Sequence, residues 1–326
     1  MTAHITFFNN RGGVGKTSLV YHSAFMFAEK GFRVLAVDLD PQSSLSSMAL
    51  DESRLEALWL DDEHALTMYG AVAPLFNGTG DVCPVHIEPL GDLLGLLVGN
   101  PALSPIEEAL STGWPRCLDG CERTFRVTTA FWRVIHEAAK RYQADVVLLD
   151  VGPNLGAINR SAFVASSHVL MPVAPDLLSL QGLKNLGPML RKWRSAWAAA
   201  LPYAPGTLGE MPLGDMSPLG YVLMQQVERF GNSARAYTKW QTQLPIAYRT
   251  SVSGEEAAES NDHQIHRLKH YRSLMPMAME ARKPMFSLTN ADGAIGAYQT
   301  NVQQCHDDFS ALVTAIAART GLQKST

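Results

Sequence analysis

The sequence is poor in charge and in cysteine. Only 18% of its 326 residues are Asp, Glu, Lys or Arg, and the formal net charge is −4. That balance excludes a surface that is basic all over. Four cysteines in a chain of this length make no disulfide framework. Long apolar runs are missing too. No stretch approaches the roughly 20 residues of a membrane span, since Leu93–Val98 is too short and Ala162–Ala174 is broken by Ser166, Ser167 and His168. No basic flank or cleavage site precedes the strand-like start MTAHITFF, so no secretion leader is expected. Repeats and low-complexity segments are absent. With 46% hydrophobic residues, wholesale disorder is excluded as well. The expectation is a soluble, cytoplasmic protein with a substantial core.

What is present is alternation. His4–Asn9 reads as a short strand, and Asn10–Gly15 as a glycine-rich turn. Lys16–Lys30 carries Leu19, Ala24, Phe25, Phe27 and Ala28 at helical spacing and ends at Gly31, and Arg33–Asp40 is an apolar run of the kind a buried parallel strand requires. Together they form a βαβ unit. Further strands are expected at Ile87–Leu90, Leu94–Val98, Val146–Asp150, His168–Val173 and Gly220–Gln225, and helices at Phe131–Arg141, Leu183–Ala200, Ser233–Gln243 and Asn301–Thr320. The pattern predicts an α/β fold, doubly wound, with a mostly parallel sheet and helices on both faces. Residues 50–85 and 201–217 read as surface excursions. The whole chain, 1–326, is expected to be one domain with insertions near 50–85 and 201–262.

The turn Asn10-Arg11-Gly12-Gly13-Val14-Gly15-Lys16-Thr17 follows a strand and opens a helix. Glycines let consecutive backbone N–H groups face phosphate oxygens, and the helix N-terminus adds partial positive charge. In such a loop Lys16 reaches the β- and γ-phosphates of ATP and the Thr17 hydroxyl holds Mg²⁺. Gly12, Gly13, Val14, Gly15, Lys16, Thr17 and Ser18 are therefore the expected nucleotide-binding residues. Asp150 closes an apolar strand, where a lone carboxylate is best explained by a ligand, here Mg²⁺ through water. Cys117 and Cys121 lack a second pair at zinc spacing, and ordinary thiols are expected.

The loop departs from G-x-x-x-x-G-K-S/T at Asn10 and carries Gly12-Gly13 inside it. Here the sequence resembles the ParA/MinD family of deviant Walker P-loop ATPases, whose loop reads KGG-x-GK-S/T. VLAVDLDPQSSLS (34–46) is similar to that family's D-x-DPQ strand, VVLLDVGPNLG (146–156) to its Walker B strand and switch, and HVLMPVAPDLLSLQGL (168–183) to its next strand and P-x-x-x-S-L-x-G-L segment. The four blocks keep the family's order over about residues 4–185. The resemblance implies an ATPase in which Asp40 orients the attacking water, with Asp38 as the neighbouring competitor and a turn-forming role before Pro41 as the plain reading. It implies that Arg11, where lysine is usual, reaches the phosphates of a partner copy in an ATP-bound homodimer; the plain reading is a solvent-facing side chain. Base contacts are implied at Asp176 and in the loop near Met224–Gln226, Gln225 in particular. Gly152 replaces the first proline of the switch motif.

The family binds DNA without sequence preference through basic C-terminal residues. The window 263–283 carries five basic residues, Arg267, Lys269, Arg272, Arg282 and Lys283, against one acid, Glu280. These are the candidate DNA contacts, weighed against a solvated face balanced by Glu255, Glu256, Glu259 and Asp262. Arg191, Lys192 and Arg194 are a weaker candidate. The tail after Thr320 lacks the amphipathic face that membrane binding needs. The resemblance thus implies a ParA-like ATPase, slow and stimulated by an adaptor or ParB-like partner, that positions or segregates a cargo and is nucleoid-associated if DNA is bound. An ATP-dependent ligase or synthetase on the same scaffold, or a regulatory ATPase switch outside partitioning, are the alternatives.

Overall fold

In the computed structural model, which describes residues 2–60, 65–224, 233–256, 262–271 and 273–324 (backbone alone for 233–238), β1 (Ala3–Phe7) leads through the glycine turn into α1 (Lys16–Glu29) and β2 (Val34–Asp38). Next come α2 (Ser44–Ala49), α3 (Glu52–Trp59), α4 (Met68–Asn77), β3 (Glu88–Gly91) and β4 (Leu94–Leu97). Then α5 (Ile106–Gly113), α6 (Glu122–Thr128) and α7 (Ala130–Tyr142) precede β5 (Val146–Asp150), α8 (Ala157–Val164), β6 (His168–Val173) and α9 (Leu177–Ala200). The chain finishes with β7 (Ser217–Met224), α10 (Ser233–Ala247), β8 (Gln264–Leu268), α11 (Leu274–Ala281) and α12 (Ala297–Thr320).

The strands form one sheet in the order β3-β4-β2-β5-β1-β6-β7-β8. All neighbours are parallel except β3 and β4. Strand alternation divides the core in two. Leu35, Val37, Val147 and Leu149 pack against α4 to α10, while Val34, Ala36, Val146 and Leu148 pack against α1, α3, α11 and α12. With both faces covered, these strands read as continuous apolar runs, which is why the sequence signals them. The crossover from β1 goes to one side of β5, and that from β5 goes to the far side of β1. The carboxyl ends of β1, β2, β5 and β6 therefore gather at a point where the strand order reverses, the place where open α/β sheets bind ligands.

Two regions differ from the sequence expectation. The supposed excursion at 50–85 contains α4, which carries Met68, Ala71, Val72 and Leu75 into the core. Gly70 and Pro74 weaken its local helix signal, and tertiary packing holds it all the same. In the 201–217 stretch Trp197 Nε1 donates to the Pro212 carbonyl at 2.8 Å and Met216 is wholly buried, so that segment is anchored as well. The basic window contains an edge strand, β8, and then α11. No helix among the described residues is long and apolar enough to cross a membrane.

Gly187 sits mid-way along α9, where the helix touches the π-helical turn Tyr248–Ser253. A Cβ there would stand 1.9 Å from the Ser251 carbonyl oxygen and 2.8 Å from Val252 Cα, both rigid backbone. Gly187→Ala is expected to destabilise by about 1–3 kcal/mol despite alanine's better helix propensity. Urea unfolding reads this as a lower midpoint at unchanged slope; an unchanged or higher midpoint contradicts it.

Candidate functional site

The loop after β1 turns on Gly13 (φ 73°) and Gly15 (φ 91°), a backbone region that side chains disfavour. At Gly15 a Cβ would also press on Met224 Cε at 3.2 Å, so the end of β7 lies against the loop. Helix α1 starts at once with Lys16, leaving its first N–H groups open beside the turn. The Ser18 hydroxyl lies back along α1, 3.3 Å from His22 Nδ1.

Lys16 is only 8% exposed, and its ammonium rests on the carboxylate of the wholly buried Asp150. Thr17 Oγ1 donates to the other Asp150 oxygen at 2.7 Å. Sheet register sets Asp38 beside Asp150. Asp38 is buried as well: one oxygen accepts from Ser46 N and Oγ at 2.8 and 2.7 Å, and the other accepts from Asp40 N at 3.2 Å. Burial, and then the neighbouring Asp150 charge, pushes Asp38 up to about 7. Burial also raises Asp150, against the pull of Lys16 and Thr17. Asp40 Oδ1 accepts from Gln42 N at 2.9 Å, the turn-forming bond expected before Pro41. The same carboxylate faces segment 151–156, because a Cβ on Gly152 would lie 3.5 Å from Asp40 Oδ1. Asp150 thus meets one lysine and one hydroxyl, with the Asp38 and Asp40 charges nearby. Carboxylate and hydroxyl oxygens are the donors Mg²⁺ prefers, together with phosphate oxygens and water, so the residues present fit that cation.

Two supports of the site have no local sequence signal. Glu107 on α5 accepts from the N–H groups of Ala157 and Ile158, at 2.5 and 2.9 Å, and so caps α8 directly after the switch segment 151–156. Asn159 Nδ2 donates to the carbonyls of Gly152 and Asn154, at 2.7 and 2.6 Å, bracing that segment from within. Glu107 is fifty residues away in sequence, and only the packed fold brings it there.

The Arg11 guanidinium lies on the carboxylate of Asp176 in the same chain. Asp176 also caps α9 by accepting from Ser179 N at 2.8 Å. Sequence reasoning set these two apart, one for a partner's phosphates and one for the base; the fold sets them against each other. Gln225 and Arg272 lie outside the described residues. Of the remaining basic candidates, Arg282 donates to the Leu50 carbonyl, Lys283 pairs with Asp292 at 2.8 Å, and Lys269 donates to Gln304 at 3.0 Å. Arg267 is exposed on β8. The acids Glu255 and Asp262 both pair with Arg249. Arg191 and Arg194 donate to the carbonyls of Ser251 and Met216 at 2.6 and 2.8 Å.

A family model described as an AAA domain matches residues 2–201. Protein IncC of Escherichia coli is 32% identical over 178 residues, which covers 55% of this chain and 43% of that protein. The cell division protein PomZ of Myxococcus xanthus is 30% identical over 188 residues, covering 55% and 49%. The chain spans about half the length of these curated relatives. Among solved structures, protein DIP2308 of Corynebacterium diphtheriae shares the fold with a TM-score of 0.73 at 24% identity, covering 98% of this chain and 99% of that one.

Proposed function

The chain belongs to the ParA/MinD-type P-loop ATPases, and on that premise we propose that it is a positioning ATPase whose ATP-bound sandwich dimer binds DNA non-specifically, carries or segregates a cargo, and is reset by hydrolysis. One observation carries the reading: Lys16, Thr17, Asp150 and Asp40 meet at the carboxyl ends of the three adjacent strands β1, β5 and β2. The name of the myxococcal relative, a cell division protein, favours it over a ligase.

On this reading the backbone of Gly12, Gly13, Val14 and Gly15 cradles the phosphates, with Ser18 just behind in α1. Lys16 leaves Asp150 for the β- and γ-phosphates, and Thr17 and Asp150 hold Mg²⁺. When bound, that ion neutralises charge on the phosphoryl oxygens. Asp40 orients the attacking water. Arg11 exchanges Asp176 for the phosphates of a second copy, where its planar fork binds bidentately. Hydrolysis is slow until an adaptor or ParB-like partner docks on this single domain. Asp176 and Gln225 contact the base, and Arg267, Lys269, Arg272, Arg282 and Lys283 contact DNA phosphates.

Fluorescence anisotropy with a random-sequence duplex tests this. ATP should promote binding, ADP should not, and Lys16→Ala should lose the effect. Each of Arg267→Ala and Lys269→Ala should weaken binding uniformly across sequences and lower the log–log salt slope by about 1. Binding that ignores the nucleotide, or none at all, contradicts the proposal.

A further inference from the structure

A cavity of about 220 Å³ opens between α4, α5 and α6, apart from the phosphate loop. Phe76 and Val127 line it with apolar side chains, and Thr112, Arg116, Cys121 and Arg123 add polar ones. The charge around it is uneven. Arg126 and Arg133, close by on α6 and α7, are neutralised by Asp81 and Glu122. Arg116 and Arg123 are exposed and have no ion pair among the described residues. An apolar pocket with a few convergent polar groups is how small-ligand sites are built, and two unneutralised guanidinium groups select a carboxylate.

One wall of this cavity is the helix that holds the switch. Ala109, Thr112 and Gly113 of α5 line the pocket, while Glu107, on the opposite side of the same helix by its 3.6-residue period, caps α8. A second tie runs back from α8. The Arg160 guanidinium lies over the Trp114 ring, 4.5 Å from its centroid, and donates to the Leu110 carbonyl at 3.3 Å. Helices α5 and α8 are thus fastened at both ends of their contact, and displacing α5 disturbs the N–H groups that follow segment 151–156.

We propose that this cavity is an effector site for a carboxylate carried on a small apolar frame, and that its occupancy is transmitted through α5 and Glu107 to the switch segment. It adds a regulatory ligand to the cycle described above and does not depend on DNA binding or on dimerisation.

Cys121 supplies the reporter, since the backbone N–H of Thr124 holds its thiol below the usual range and favours alkylation. The experiment follows iodoacetamide labelling of Cys121 by peptide mass, with exposed Cys83 as internal control. Benzoate should slow labelling at Cys121 several-fold and saturably, leave Cys83 unchanged, and lose its effect in the doubly substituted Arg116→Ala, Arg123→Ala protein. Neutral benzamide should not protect. The acetylated dipeptide Phe-Glu amide, run beside benzoate, distinguishes the sources: stronger protection by the peptide assigns the carboxylate to a partner protein, stronger protection by benzoate to a free acid. For the coupling, hydrogen exchange of peptides spanning 151–158 should change with benzoate in the parent and not in Glu107→Gln. Equal protection by benzamide, or none at millimolar benzoate, overturns the site; an equal exchange response in Glu107→Gln overturns the coupling. None of these readouts requires ATP turnover, so their failure is separable from failure of the ATPase reading.

Discussion

Lys16→Ala is expected to lower ATP turnover by at least about 10²–10³-fold, the usual cost of removing one preorganised charge from a transition state, and to weaken ATP binding alongside it. The same change acts on the nucleotide-free protein. Lys16 is the cation against the wholly buried Asp150, and removing one partner of a buried pair costs about 3–5 kcal/mol when the other stays charged. Asp150 has a way out, because burial already raises its pKa. Without Lys16 the folded-state pKa rises further above the unfolded value. The folded state then binds more protons than the unfolded one, so stability falls as pH rises through that window. The deficit of Lys16→Ala relative to the parent should therefore be larger at pH 8 than at pH 5. Denaturant titrations at the two pH values check this; a deficit independent of pH contradicts the Lys16–Asp150 pairing.

Asp40→Ala should leave ATP binding intact and cut hydrolysis by about 10²–10⁴-fold, the range for a positioned acid–base group. Phosphoryl transfer needs little covalent help, so orienting the water is enough to account for a loss of that size. Asp40 also ties its own turn through Gln42 N, and a loss of activity could be structural. Asp40→Asn separates the two roles. Its amide oxygen can still accept from Gln42 N–H, so unfolding should match the parent while hydrolysis stays lost. Turnover near that of the parent in Asp40→Asn contradicts the catalytic role. With hydrolysis blocked and binding intact, ATP should hold the variant as a dimer, read by sedimentation velocity.

The parts of the fold that the sequence makes legible are those whose local pattern and tertiary role coincide. β2 and β5 are buried on both faces and read as apolar runs, and the glycine loop announces itself because only glycine suits the φ values at Gly13 and Gly15. The parts that stayed hidden are held by contacts far along the chain. α4 is a helix in spite of Gly70 and Pro74, and β8 is a strand because β7 offers it an edge. At the site, Asp38 could be seen beside Asp40, but not the Ser46 bonds that retain it or the burial and the Asp150 neighbour that raise its pKa. Arg11 could be recognised as a departure from lysine. That its charge rests on Asp176 follows from β6 lying next to β1, which no local pattern encodes.

One nucleotide cycle should govern one association. The most direct measurement is a single-turnover experiment following phosphate release and DNA anisotropy in the same sample after adding ATP and Mg²⁺. Anisotropy should rise on ATP binding and then decay at the rate of phosphate release, with no decay in Asp40→Asn. DNA association that is indifferent to ATP, or that persists after the phosphate has left, contradicts it.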